Sequence, residues 1–287
     1  MPSSFSFGDG LGGWGEDLPS SFLKETGVYV KKASSVKEYA SNEDQNAKFR
    51  PYMEDRFCAH DYFLDDKKFG VFGVFDGHGG KQVAEHICER IPEQLKKDLQ
   101  KKNPADLTET LIDVFLKVDK ECKLLDADGA GSTACVCVIR GEGAKRVLYV
   151  ANVGDTRAVI SKNGVAERLS YDHKATDIEE SMRVKGSGGF ILDDRVSGQL
   201  AISRAFGDLA LKKEGVIAEP TVRKYLLKPT DTWLIIGTDG VWDHVSDIES
   251  VMCCEGLSTS DGISKLIIKE AMKKGSQDNI TCMVLKL

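Results

Sequence analysis

The chain has 287 residues, 41% of them hydrophobic and 29% charged, enough apolar material for one substantial core. Its net charge of −6 argues against a broad phosphate-neutralising face of the kind nucleic acids need. No apolar run approaches the roughly 20 residues that cross a bilayer, the N-terminus has no basic-then-apolar signal, and the eight cysteines lack C-x-x-C spacing. The expectation is a soluble monomer of the cytoplasm or nucleus, with reduced thiols and neither nucleic acid nor membrane as partner.

Residues 1–26 are rich in Ser and Gly with isolated aromatics at Phe5, Phe7, Trp14 and Phe22, which predicts an arm that is flexible or packs only locally. From Gly27 to Leu287 the pattern is that of a single domain. Short runs rich in β-branched and aromatic residues (GVYVKK, RFCAHDYF, FGVFGVF, STACVCVI, VLYVAN, RAVIS, WLIIGT, ITCMVL) predict strands. Asn163-Gly164 is a hairpin turn, so neighbouring strands are antiparallel.

Helical spacing interrupts the strands in two blocks. Val83, Ile87, Ile91, Leu95 and Leu99 form one stripe, and Leu107, Leu111, Val114, Phe115 and Val118 belong to a second. Near the C-terminus Ser246 and Glu249 have capping-box spacing, and Ile263, Leu266, Ile267 and Ala271 make a stripe closed by Lys273, Lys274 and Gly275. The economical solution is an α+β fold in four layers, two antiparallel sheets packed as a sandwich with helices outside each. The segment 176–198, with KGSGG and LDDRVSG, is the least regular stretch; a substrate-gating flap and an ordinary surface loop both fit it.

The chemistry lies in the acids. FGVFDGHGG (residues 72–80) delivers Asp76 to the lip of a core strand, and TDGVWD (238–243) repeats the arrangement after WLIIG. SQDN (276–279) supplies a third acid before the last strand, and RPYMED (50–55) adds more from a fourth segment. A single Asp-Gly pair is more often a turn than a site. Converging carboxylates repel one another and call for divalent cations, and oxygen-only donors select Mg²⁺ or Mn²⁺. One carboxylate can bridge two ions, and Asp76 is the candidate. Two ions suit hydrolysis at phosphorus. His78 is placed to protonate a leaving group, and Arg50 offers a planar fork for phosphate oxygens.

Other phosphatase chemistries lack their parts. No cysteine is followed by five residues and an arginine, no P-loop or G-x-S-x-G elbow occurs, and Asp126-x-Asp128 reads as a turn.

Taken together, RPYMED, FGVFDGHGG, GSTACVCVI, YVANVGDTRAVI, LSYDHKA, SGQLAISRAFGD, AEPTV, IIGTDGVWDHVS and GSQDNITCMVL resemble the metal-dependent protein serine/threonine phosphatases of the 2C type, in order and over about residues 27–287. The resemblance implies a central antiparallel β-sandwich flanked by antiparallel helix pairs, with the metals at one end. It implies hydrolysis of phosphoserine and phosphothreonine in phosphoproteins by a hydroxide activated by two Mg²⁺ or Mn²⁺ ions, without a phosphoenzyme. By position, Asp76 resembles the bridging ligand and Gly77 a carbonyl ligand, with Asp239 and Asp278 at the second ion. Glu54 would act through water, supported by Asp55, and Asp155 with Asp239 and Asp243 resembles a weaker third site. Arg50 looks like the phosphate binder, His78 the general acid, and residues 183–198 the family's flap. Thr156 stands where serine is common, Ala175 follows DHK where proline is usual, and the flap lacks a tryptophan. A scaffold without activity, or a two-metal hydrolase of small phosphate esters, are the alternatives.

Overall fold

The computed structural model describes residues 26–142 and 145–287; the arm expected over residues 1–26 lies almost wholly outside them. Two antiparallel sheets form the centre. The first, six-stranded, runs in the order Thr26–Val30, Glu38–Asp44, Ile280–Lys286, Asp231–Gly237, Arg157–Lys162, Val165–Arg168. The second, five-stranded, runs Thr221–Leu226, Lys145–Val153, Ala134–Glu142, Phe69–Phe75, Arg56–His60.

Three apolar layers follow from strand alternation. Phe72, Val74, Leu148 and Val150 of the second sheet meet Ile160, Leu234, Ile236, Met283 and Leu285 of the first between the sheets. On the outer face of the second sheet, Val71, Phe75, Val136 and Tyr149 pack against helices α1 (Gln82–Lys101) and α2 (Thr108–Glu121). Beyond the first sheet, Val159, Trp233, Ile235 and Val284 pack against α4 (Asp239–Trp242), α5 (Asp247–Met252) and α6 (Ser260–Lys273). FGVFGVF is buried at every position because both its faces are covered. The four layers agree with the sequence expectation, although the second outer layer is one long helix with two short ones. All eight cysteines are free.

Two strands escape the sequence pattern. Glu38–Asp44 (EYASNED) is polar yet largely buried, because Asn42 donates to the Ser264 hydroxyl at 2.6 Å and to Asp261 at 3.2 Å. Thr221–Leu226 has no continuous apolar run because it is an edge strand, half exposed. The segment 176–198 is more regular than expected. Asp177 caps α3 (Ile178–Gly186) by accepting from the Glu180 N–H, and Ile191–Leu192 pairs with Arg195–Val196. Val184 and Val196 join Ala205, Leu211 and Val216 in a small core of their own.

Candidate active site

Five connections cross between the two sheets or meet a strand end at one pole of the sandwich, and each carries acids. Residues 45–55 join Glu38–Asp44 of the first sheet to Arg56–His60 of the second and hold Arg50, Glu54 and Asp55. Asp76 follows Phe69–Phe75, and Asp155 lies between Lys145–Val153 and Arg157–Lys162. Asp239 starts α4 directly after Asp231–Gly237, and Asp278 precedes Ile280–Lys286. A cleft of about 690 Å³ opens at this pole, lined in part by Arg50, Asp239, Asp243, His244 and Asp278, while Glu54, Asp55, Asp76 and Asp155 lie outside its lining.

The backbone around the acids is held by specific bonds. Asp76 donates its N–H to the Thr133 hydroxyl at 3.2 Å, and its carbonyl accepts from the Thr133 N–H at 2.9 Å. Glu54 accepts from the Gly80 N–H at 2.6 Å and donates its own N–H to Asn279 Oδ1 at 2.8 Å, so the 50–55 loop is tied both to the DGHGG turn and to the last strand. Gly77 is required there, since a Cβ would lie 2.6 Å from the Glu54 carbonyl oxygen. Asp55 is buried beneath the cleft and accepts from the Thr238 and Thr281 hydroxyls at 3.1 and 2.8 Å, clasping the strand ends that deliver Asp239 and Asp278.

Electrostatics sort the carboxylates. Arg50 Nη2 lies 2.5 Å from Asp278. Lys174 Nζ lies 3.1 Å from Asp243 and 3.5 Å from Asp155, between two of the three acids expected to hold a third ion. Asp76 and Asp239 pair with no cationic side chain among the described residues. Burial pushes Asp76 well above the usual carboxylate range, and the charges of Asp239, Asp55, Asp155 and Asp278 push it further. Burial does the same to Asp239, helped by Asp155, Asp278, Asp243 and Asp55. Asp155 is raised by burial, with Lys174 opposing.

These acids fit hard divalent cations. The donors that converge are oxygens, and the excess negative charge at Asp76 and Asp239 is what an ion would neutralise. Among the described residues no three His, Cys, Asp or Glu side chains stand close enough together to hold an ion by themselves. Few protein carboxylates with water completing the sphere is the habit of Mg²⁺.

His78 opens partly onto the same pole. Its Nε2 is 2.8 Å from Asp208, a buried residue reached through Phe206–Gly207. Asp208 has a positive φ of 47°. Neither Asp208 nor Lys174 nor Asn279 has a role that is evident from sequence. The signals were there as polar residues inside the long motifs SRAFGD, DHK and QDN, without a partner to give them meaning.

The sequence profile of protein phosphatase 2C matches residues 39–280 of this chain. The chain belongs to the protein phosphatase 2C family. Among its relatives, protein phosphatase 2C homolog 1 of Saccharomyces cerevisiae is 33% identical over 258 residues, covering 85% of this chain and 92% of its own. The protein of the same name from Schizosaccharomyces pombe is 37% identical over 250 residues, covering 85% and 72%. The serine-threonine phosphatase 2C from Toxoplasma gondii superposes with a TM-score of 0.74 at 25% identity, over 91% of this chain and 99% of that one. This protein phosphatase 2C member is thus a phosphoprotein phosphatase of a metal-dependent family, and a hydrolase.

Proposed function

We propose that this protein removes phosphate from phosphoserine and phosphothreonine with two divalent ions, Mg²⁺ or Mn²⁺, at the pole where the two sheets meet. The observation that carries the reading is the pair Asp76 and Asp239, brought from opposite sheets, raised by burial and by the carboxylates around them, and without a cationic side chain at ion-pair distance among the described residues. Asp76 would bridge the ions, the Gly77 carbonyl would serve one, and Asp239 and Asp278 the other, with Glu54 acting through water. A weaker third ion would share Asp155, Asp239 and Asp243 with Lys174. Bound there, the ions supply an acidified water and neutralise the carboxylates.

The chain's own residues do the rest. Arg50, half exposed at the cleft mouth and now donating to a carboxylate, presents the same fork to a phosphate. His78 gives a proton to the departing seryl or threonyl oxygen. Asp208 bonds Nε2 and so fixes the ring, and Nδ1 would then carry the proton. Glu54 and Asn279 hold the Arg50 loop in register with the last strand.

Phosphate release from a phosphothreonine peptide, with Mg²⁺, Mn²⁺ or EDTA, tests the reading. Release is expected with either ion and not with EDTA, and Asp239→Ala should abolish it while the circular dichroism stays native. Undiminished release in EDTA or in that variant would sink the two-ion assignment. Turnover of a small phosphorylated metabolite in preference to the peptide would favour the ester-hydrolase alternative.

A further inference from the structure

At the pole opposite the active site lies a second recess, of about 400 Å³, lined by Ser34, Ser35, Val36, Lys37, Lys68, Lys145 and Arg146. Its placement follows from strand direction. Lys37 precedes Glu38–Asp44, Lys68 precedes Phe69–Phe75, and Lys145 and Arg146 begin Lys145–Val153. All three strands end at the catalytic pole, with the 45–55 loop, Asp76 and Asp155 respectively. At about 3.3 Å per residue the recess is roughly 20 Å or more from the acids.

Four cations in one recess run against the chain's net charge of −6. None of the four has an ion-pair partner among the described residues. Arg146 is only partly exposed and spends one donor on the Ser35 carbonyl at 2.7 Å, and burial lowers its pKa, as expected of a cation held without an anion. Asp61 is the carboxylate bonded to this turn. Its oxygens accept from the Ser34 and Ser35 N–H groups at 2.5 and 2.7 Å and from the Ser35 hydroxyl at 2.6 Å, which fixes the turn and occupies that charge. Lys68 is held over the neighbouring strand, where a Cβ on Gly141 would lie 2.7 Å from its side chain. Asp66 accepts from the Lys68 N–H at 2.8 Å, and beyond it and Asp61 no carboxylate among the described residues bonds the lining, so the recess is a basic site within the size range of small-ligand pockets.

We infer that this recess binds a small anion carrying two or more closely spaced phosphates, remote from catalysis. Four positive charges match such an anion better than a single phosphate, and Arg146 supplies the planar donor fork. The same chemistry is offered by a soluble polyphosphate and by a multiply phosphorylated lipid headgroup.

The test is isothermal titration of the metal-free full chain with tripolyphosphate and with orthophosphate in 0.1 M salt. One saturable site is expected, at least tenfold tighter for tripolyphosphate. Lys68→Ser combined with Lys145→Ser, both exposed, should weaken it at least tenfold while hydrolysis of p-nitrophenyl phosphate stays at the unsubstituted rate. Arg50→Ala should leave the affinity unchanged. Sedimentation with vesicles containing a bisphosphorylated inositol lipid distinguishes the two sources, since only a headgroup site carries the protein down with them. No saturable binding, an unaltered affinity in the double-lysine variant, or a loss caused by Arg50→Ala would each overturn the inference.

Discussion

His78 shows how a residue with an ambiguous sequence signal acquires a role from its neighbours. Its Nε2 is 2.8 Å from Asp208, and that approach is possible because residue 131 is glycine: a Cβ there would lie 2.1 Å from Asp208 Oδ2 and 2.5 Å from His78 Nε2. His78→Ala is expected to slow release from a phosphothreonine peptide about 10²-fold or more, and release from p-nitrophenyl phosphate much less, because the aryl oxygen leaves without a proton. Asp208→Asn and Gly131→Ala should show the same selectivity in milder form. Parallel kcat measurements on the two substrates decide the matter, and equal losses would count against the acid role. Asp76 and His78 stand out in the sequence because an apolar run and glycines frame them, whereas Arg50, between Phe49 and Pro51, has no such frame. Asp208 does not stand out, since its meaning depends on a contact 130 positions away in the chain.

At the scale of elements, the turn from Gly237 to Trp242 converts a strand of the first sheet into α4 and aims Asp239 into the cleft. Thr238 accepts from the Thr281 N–H at 3.1 Å, and Trp242 Nε1 donates to the Gly237 carbonyl at 2.7 Å, so the turn is fastened at both ends. Gly240 passes against the entry to the last strand, where a Cβ would lie 2.0 Å from the Asn279 carbonyl oxygen. Gly240→Ala is therefore expected to push α4 off that strand. It should destabilise by about 1–3 kcal/mol and remove most Mn²⁺-dependent activity, seen as a lowered denaturant midpoint and a lowered kcat. Wild-type values on both measures would show that the turn can give. Most strands were legible from β-branched runs. EYASNED was not, because its burial is sustained by hydrogen bonds from Asn42 to α6 and not by apolar side chains.

For the whole molecule, the acids make stability depend on pH and on metal in a direction that can be stated. Burial raises Asp55 from 3.8 to about 7, with Asp278 and Glu43 adding and the Thr281 and Thr238 hydrogen bonds opposing; Asp76 and Asp239 are also raised. A carboxyl raised on folding favours the protonated native state, so its contribution is complete below the ordinary carboxylate pKa and is lost as pH climbs through the raised value. The metal-free protein should accordingly lose thermal stability between about pH 4 and pH 7. Mn²⁺ at 100 times its Kd should restore about 2.7 kcal/mol, and Asp239→Asn should reduce both effects. Thermal unfolding across pH with EDTA or Mn²⁺ measures this; a flat metal-free profile would contradict it.

The sequence alone determined most of the strands, the long helices and the antiparallel pairing, and singled out the acids after core runs, because apolar period, turn residues and Asp-Gly after a core run are local properties; Glu38–Asp44, Thr221–Leu226 and α3 lack such a signal. Tertiary structure decided which charges find partners. Arg50 with Asp278, Lys174 between Asp155 and Asp243, and Asp76 and Asp239 without an ion pair among the described residues all depend on loops from two sheets meeting at one pole. The basic recess at the other pole is likewise invisible in sequence, where Lys37, Lys68, Lys145 and Arg146 stand as scattered cations. Strand direction sets both ends, since the residues that begin neighbouring strands and those that finish them are gathered by sheet pairing and not by proximity in the chain.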